Sequence, residues 1–261
     1  MKFINAFLPN ERVDRSVAVI LALGWLIFVA GFWVVTTVGS SPMVPQLPSP
    51  VQVGNAFGRE WQGGLFVQLL TSLSTSIKAI VIAAVLGLAF VYSSTIAALR
   101  PPAVLFGTFR FLSLAGITVI FMNMLSGHEL KVGILAFSMM TFFIGDMLQI
   151  VDDIPQSKFD HARTLGLNRW QVLREVVIRG TMHEAFESVR KNAAIAWMML
   201  TSVEGLVRSE GGIGLLLLTL QRSGNYSAIF AVQLTIFAVG LGQDRLLKYL
   251  KAAACPYTVR R

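Results

Sequence analysis

Residues 160–178 read DHARTLGLNRWQVLREVVI, and this run decides how the rest of the chain is understood. It is the longest polar, charge-rich stretch in a sequence that is 54% hydrophobic and only 14% charged, with a mean hydropathy of +0.65. Soluble domains carry about 25% charged residues. The deficit, and the long apolar runs on both sides, place the chain among membrane proteins. A polar pair of short helices between membrane spans is most simply a docking surface for a soluble partner. Gly166 ends the first helical piece at low cost, and Asp160 suits the positive N-terminus of that piece. Ala162, Leu165, Leu173, Val176 and Val177 gather on one face, leaving Arg163, Arg169, Arg174 and Glu175 outside.

Outward from this loop, about six transmembrane helices are expected. A span needs about 20 apolar residues to cross about 30 Å of hydrocarbon. The first run, residues 17–38, holds 22 residues without a charge, and it is too long for the core of a cleaved signal peptide. The second lies within 66–92 and the third is a continuous span over 103–125. The fourth covers 131–151, the fifth 189–207 and the sixth 228–247. Residues 40–50, with four prolines, form an extended external loop. Residues 51–64 form a short interfacial helix, with Trp61 at the headgroup level. The piece 215–220 is too short to cross and is introduced by Gly211, Gly212 and Gly214, a flexible outer hinge. Lys78, inside span two, snorkels or pairs structurally. Arg110 in span three and Asp146 in span four fall at similar depth, and an ion pair between them is expected because an unpaired buried charge is costly.

Charge orients the arrangement. With the N-terminus inside, sixteen of the 22 Lys and Arg fall on the inner side, four on the outer side and two within spans. The positive-inside rule then puts both termini and the loop in the cytoplasm.

Several chemistries are excluded. No P-loop, H-E-x-x-H or G-x-S-x-G pattern occurs. Cys255 is the single cysteine, so no internal disulfide forms, and the three histidines are too scattered for a metal site. Gly211 to Gly214 lacks the βαβ surroundings of a dinucleotide fingerprint. The spacing of the 162–177 run also fits a DNA-binding helix-turn-helix. Spans on both sides and the lack of a free domain argue against nucleic acid.

The loop resembles the EAA loop of permeases from bacterial binding-protein-dependent ABC importers, a pattern of E-A-A, three residues, G, nine residues, I-x-L-P. Asp160-His161-Ala162 stands for E-A-A, Gly166 for the glycine, and Val176 and Ile178 for the I and L. Leu47 to Pro50, Ser72-Leu73, Arg110, Gly127 to Lys131, and Glu204 followed by Gly212-Ile213-Gly214 resemble the nitrate/sulfonate/taurine branch. Arg179, Ser113, Ile144 and His183 stand where prolines are common in those relatives, so helix breaks there are either absent or made by other means.

The resemblance implies an all-α polytopic membrane protein with a MetI-like core and an extra N-terminal helix. Residues 1–50 hold the N-terminal segment, first span and Pro-rich loop. Residues 51–250 are the permease core, with the coupling loop at 152–188, and 251–261 are a basic tail. It implies a chain that is not itself an enzyme and binds no cofactor. ATP and Mg would belong to separate ATPase subunits, docked through Asp160, His161, Ala162, Arg163, Gly166, Arg169 and Trp170. It further implies a second permease subunit, identical or not, an extracytoplasmic solute-binding protein and residence in a bacterial inner membrane. The solute would be a small anion such as nitrate, a sulfonate or bicarbonate. Arg110, Asn123, Trp197 and Glu204 are candidates for its path. A membrane scaffold recruiting another cytoplasmic protein and a secondary transporter are the alternatives, though no internal repeat favours the latter.

Overall fold

A computed structural model describes residues 15–37, 47–208 and 211–255. Expectations for the N-terminal segment 1–14, most of the Pro-rich loop (38–46), Ser209, Glu210 and the tail from 256 onward lie outside these described residues. All regular structure among the described residues is helical. Among the described residues four helices are long and apolar enough to cross a membrane, and a bent pair adds a fifth if its two halves make one span, against about six expected. The helix Met182–Leu206, at the place of the expected fifth span, is not among them.

Helix α1 (Arg15–Thr37) is apolar nearly throughout and almost wholly exposed. Among the described residues it meets the rest near Trp33. The Trp33 Nε1 donates to the carbonyl of Pro48 at 3.0 Å, and its ring stacks on Phe230 at 6.5 Å. Helix α2 (Pro50–Glu60) begins where an extended loop was expected to end. Ser49 caps it, accepting from the Gln52 amide at 3.4 Å while Gln52 Oε1 accepts from the Ser49 amide at 2.9 Å. Pro50 takes the first helical position, where its missing N–H costs nothing. The expected separate interfacial helix is instead continuous with the next span. A π-turn (Trp61–Leu65), kinked at Gly64 with φ of +97°, feeds into α3 (Phe66–Ser93).

The centre of the fold is α3 packed along α6 (Gly127–Asp152). Ser72, Ser76, Ala79, Ala83 and Gly87 recur every three or four residues on α3, and all are buried. Small residues let two backbones approach where lipid offers no hydrophobic drive. At Gly87 the approach is so close that a Cβ would sit 2.6 Å from Phe143 Cδ1. Lys78 stays on the outer face of α3 and pairs with His128, Nζ to Nε2, at 3.1 Å.

The third span is broken rather than continuous. Helix α4 (Arg100–Thr108) and a 3₁₀ turn (Phe109–Phe111) lead to α5 (Leu114–Met122), and the two halves are bent by 111°. Leu112 and Ser113 are both extended, with ψ of 139° and 133°. No proline is needed, because side chains fix the corner. Phe106, Phe109 and Phe121 gather around Phe137 of α6 at 5.3, 6.3 and 5.5 Å between ring centres. At Ile144, by contrast, α6 runs straight through.

The 152–188 loop is followed by α9 (Met182–Leu206), α10 (Ile213–Arg222) and α11 (Tyr226–Ala254). Helix α9 starts seven residues before the expected span and carries His183 in its first turn. Its charged first turns are tied to α11. Arg190 contacts both Glu187 and Asp244, Lys251 reaches Glu187 at 2.9 Å, and Lys248 reaches Asp244 at 3.0 Å. Helix α10, ten residues long, is too short to cross, as expected.

Candidate functional site

The loop is built by local rules. Helix α7 (Gln156–Thr164) follows Pro155 and ends at Gly166, whose φ is +73°. The Gly166 amide donates to Arg163 O at 2.9 Å and the Leu167 amide to Ala162 O at 3.2 Å. This pair is a Schellman closure, and the left-handed residue at its centre favours glycine. Asn168 then starts α8 (Arg169–Val172) with a capping box. Its Oδ1 accepts from the Gln171 amide and Gln171 Oε1 accepts from its own amide, both at 2.9 Å. The N-x-x-Q pattern was legible in the sequence as a helix start, and it was missed. A π-turn (Leu173–Ile178) continues α8. A turn at 179–181 then leads into α9, and a Cβ on Gly180 within it would lie 2.0 Å from the Val176 carbonyl oxygen. The interruption near the expected proline is therefore a turn that holds Gly180, one residue after Arg179.

Two expectations about this loop are corrected. Asp160 is not at a helix N-terminus, because α7 starts four residues earlier; it pairs instead with Arg163 at 3.2 Å. Leu165 does not join the inner face. Ala162 and Val177 are buried, while Leu165 is 65% and Trp170 71% exposed. His161, Arg163, Gly166 and Arg169 are exposed beside them. The loop thus presents two large apolar groups among cations. Behind Trp170 a cavity of about 750 Å³ separates the loop from the α3–α4 connection, and Arg100 spans that region to Asp152 at 2.8 Å. A second cavity, of about 500 Å³, lies between the ends of α6 and α9 and is lined by Asp146, Asp153, Lys158, Glu184, Glu187 and Lys191, among others.

The four path candidates are dispersed. Among the described residues no hydrogen bond or ion pair joins any two of them. Arg110 sits at the break between α4 and α5, exposed, with its guanidinium 5.1 Å from the Phe111 ring centre. The expected pair with Asp146 does not form. Asp146 turns the other way and accepts from Ser188 at 3.3 Å and Asn192 at 3.4 Å on α9. Arg110 instead lies over Gly145, where a Cβ would be 3.2 Å from its Nη1. Asn123 closes α5 and donates to Val119 O at 2.9 Å. Trp197 is buried against α11, donating to Gln243 Oε1 at 2.7 Å.

Glu204 and the glycine turn come together at the far end of α9. The Glu204 carboxylate, fully buried, accepts from Ser72 Oγ at 2.7 and 2.9 Å and from the Gly214 amide at 2.8 Å. Ser72 Oγ also accepts from the Ile213 amide at 2.8 Å, and Gln68 Oε1 accepts from the Gly212 amide. Lys131, buried on α6, donates to the Gly211 carbonyl at 2.7 Å. Gly212 has φ of +114°, and a Cβ there would sit 2.4 Å from the Glu204 Cδ. The expected flexible hinge is therefore a turn with every amide from Gly212 to Gly214 captured. Gln68 had no sequence signal, and Lys131 had one only as the end of the Gly127–Lys131 resemblance, because their roles depend on which helices pack together.

Two curated relatives share part of this chain. The protein MJ0413 of Methanocaldococcus jannaschii, named as an ABC transporter permease protein, is 30% identical over 101 residues. The nitrate import permease protein NrtB of Synechococcus elongatus is 26% identical over 109 residues. The matched stretches cover 39% and 41% of this chain and only 38% and 39% of those two proteins. A family description, the binding-protein-dependent transport system inner membrane component, matches residues 53–253. That match runs from within α2 to the last turn of α11, the loop and the captured turn included, and the chain belongs to this family of transport-system inner membrane components.

Proposed function

We propose that the chain is the membrane subunit of an ATP-driven importer, which couples to separate ATPase subunits through its 152–188 loop. Transport rather than catalysis is the role of its family. The observation that carries the coupling is the surface of the loop. A rigid, locally capped pair of helices exposes Leu165 and Trp170 among Arg163 and Arg169. Aromatic and arginine side chains are the groups that most often anchor protein interfaces. The chain has no P-loop of its own, so ATP and Mg belong to the docked partner. With the basic loop in the cytoplasm, the captured turn at Gly211–Gly214 faces an extracytoplasmic binding protein. A second permease subunit completes the pathway.

The solute is a small anion. NrtB, one of the relatives, is named for nitrate. Arg110 lies next to the start of α5, whose cap residue Ser113 makes no side-chain cap bond. Helix starts carry positive partial charge, and discontinuous helices in transporters aim such ends at anionic groups.

Detergent extraction of the tagged chain, followed by identification of co-purifying ATPases, tests the coupling. The unsubstituted chain retains an ATPase pair, whereas Gly166→Trp and Asp160→Lys release it. Retention in both variants discards the docking assignment. Uptake of labelled nitrate, taurine and bicarbonate by the Arg110→Ala variant, at matched expression, tests the path.

A further inference from the structure

The captured turn differs from an ordinary helix start. A helix normally satisfies its first amides with its own capping side chain. Here the cap residue is Gly212, which has none, and the acceptors arrive from elsewhere: Gln68 and Ser72 on α3, Glu204 on α9. The start of α10 is thereby bolted to two other helices, and Lys131 adds a third through the Gly211 carbonyl.

Glu204 stands two residues before the end of α9. The other end of α9 follows the docking loop directly, through Gly180 and Thr181. Between them α9 contains no proline, and no glycine before Gly205. Its 25 residues form a rod of about 37 Å at 1.5 Å per residue. Rigid elements ended by hydrogen-bonded clusters are the physical carriers of coupling between distant sites.

We infer that Glu204, with Ser72 and Gln68, forms a positioning clasp that makes α10 follow α9, so that movement of the docking loop reaches the Gly211–Gly214 turn. The clasp touches no ATP and needs no contact with solute; it acts through the turn. It rests on the proposed coupling to an ATPase.

The test uses the complex of this chain with its ATPase, purified from membranes, in a Cys255→Ser background. Thr219→Cys, on the exposed face of α10, supplies a thiol whose labelling rate by a maleimide is followed before and after trapping with ATP and vanadate. In the otherwise unsubstituted complex trapping changes the rate by about fivefold or more, the lower range of measured couplings. In the Ser72→Ala and Gln68→Ala variants the ATPase stays bound and hydrolyses ATP, but the change in labelling is lost. A full response in both variants overturns the clasp, as does loss of hydrolysis in parallel with loss of response, which marks a merely structural role. An unsubstituted complex that hydrolyses ATP without any labelling response overturns the clasp alone. Absence of any ATPase from the unsubstituted chain overturns the functional proposal and the clasp together.

Discussion

The two ends of α9 solve the same problem by opposite means. One is the Gly166 turn between α7 and α8, in the loop that precedes α9; the other is the Gly211–Gly214 turn between α9 and α10. At the loop end, Gly166 and Asn168 satisfy the backbone with neighbours no more than five residues away. At the far end, Gly212 to Gly214 are satisfied by side chains up to 144 residues away. The first turn keeps its shape in contact with water and leaves its side chains free for a partner. The second keeps its shape only inside the bundle, and its side chains are spent on holding it. An exposed turn that must meet another protein profits from local capping. A turn buried inside the bundle has no water to satisfy its amides and must be captured by its own fold.

The sharpest way to break this contrast is Gly214→Val. A Cβ at Gly214 would lie 2.2 Å from the Thr201 carbonyl oxygen, and overpacking of this kind costs about 3 kcal/mol. Thermal unfolding in detergent will show a large loss of Tm and of folded yield. Next is Glu204→Ala, which strips acceptors from Ser72 and the Gly214 amide; each buried donor left alone costs about 1–3 kcal/mol. The same unfolding assay checks it, and Ser72→Ala will show a smaller loss. Asn168→Ala removes a cap worth about 1 kcal/mol, and its effect stays local. Hydrogen exchange will quicken at residues 169–172 while global Tm moves little. Trp170→Ala has the smallest effect on the fold, within about 0.5 kcal/mol for an exposed site. It nonetheless weakens ATPase association by about 30-fold, as expected for an interface anchor, measured by titration of the purified partner. A Trp170 variant that unfolds early, or a Glu204 variant as stable as its parent, would erase the distinction between the two ends.

This contrast also explains what the sequence could and could not disclose. The loop was legible at Gly166, because a Schellman closure depends on residues adjacent in the chain, and the Asn168–Gln171 box was legible though overlooked. Apolar length placed the first, second, fourth and sixth expected spans, whereas α9 is not among the helices apolar enough to cross. The break at Leu112–Ser113 was not legible as such, because rings from α4, α5 and the preceding 3₁₀ turn make it by converging on Phe137. The Arg110–Asp146 pair failed for a related reason. Equal depth on neighbouring spans says nothing about rotation, and Asp146 faces α9. Glu204 was found by its charge within an apolar run, but Gln68 and Lys131 acquire their roles only once α3, α6 and α9 are side by side.

The exposure of α1 has a consequence for how the chain is assembled. Trp33, with Pro48 and Phe230, is the main contact that α1 makes with the bundle. A helix so apolar is at rest in lipid as soon as it has been inserted. Helix α3 is not: it exposes Ser72, Thr75 and Ser76 until α6, α9 and the glycine turn arrive to cover them. During synthesis α1 needs no companions, whereas α3 passes through an interval in which it waits for residues up to 141 positions later in the chain. Whatever shelters that hydroxyl-lined face during synthesis governs the yield of folded protein.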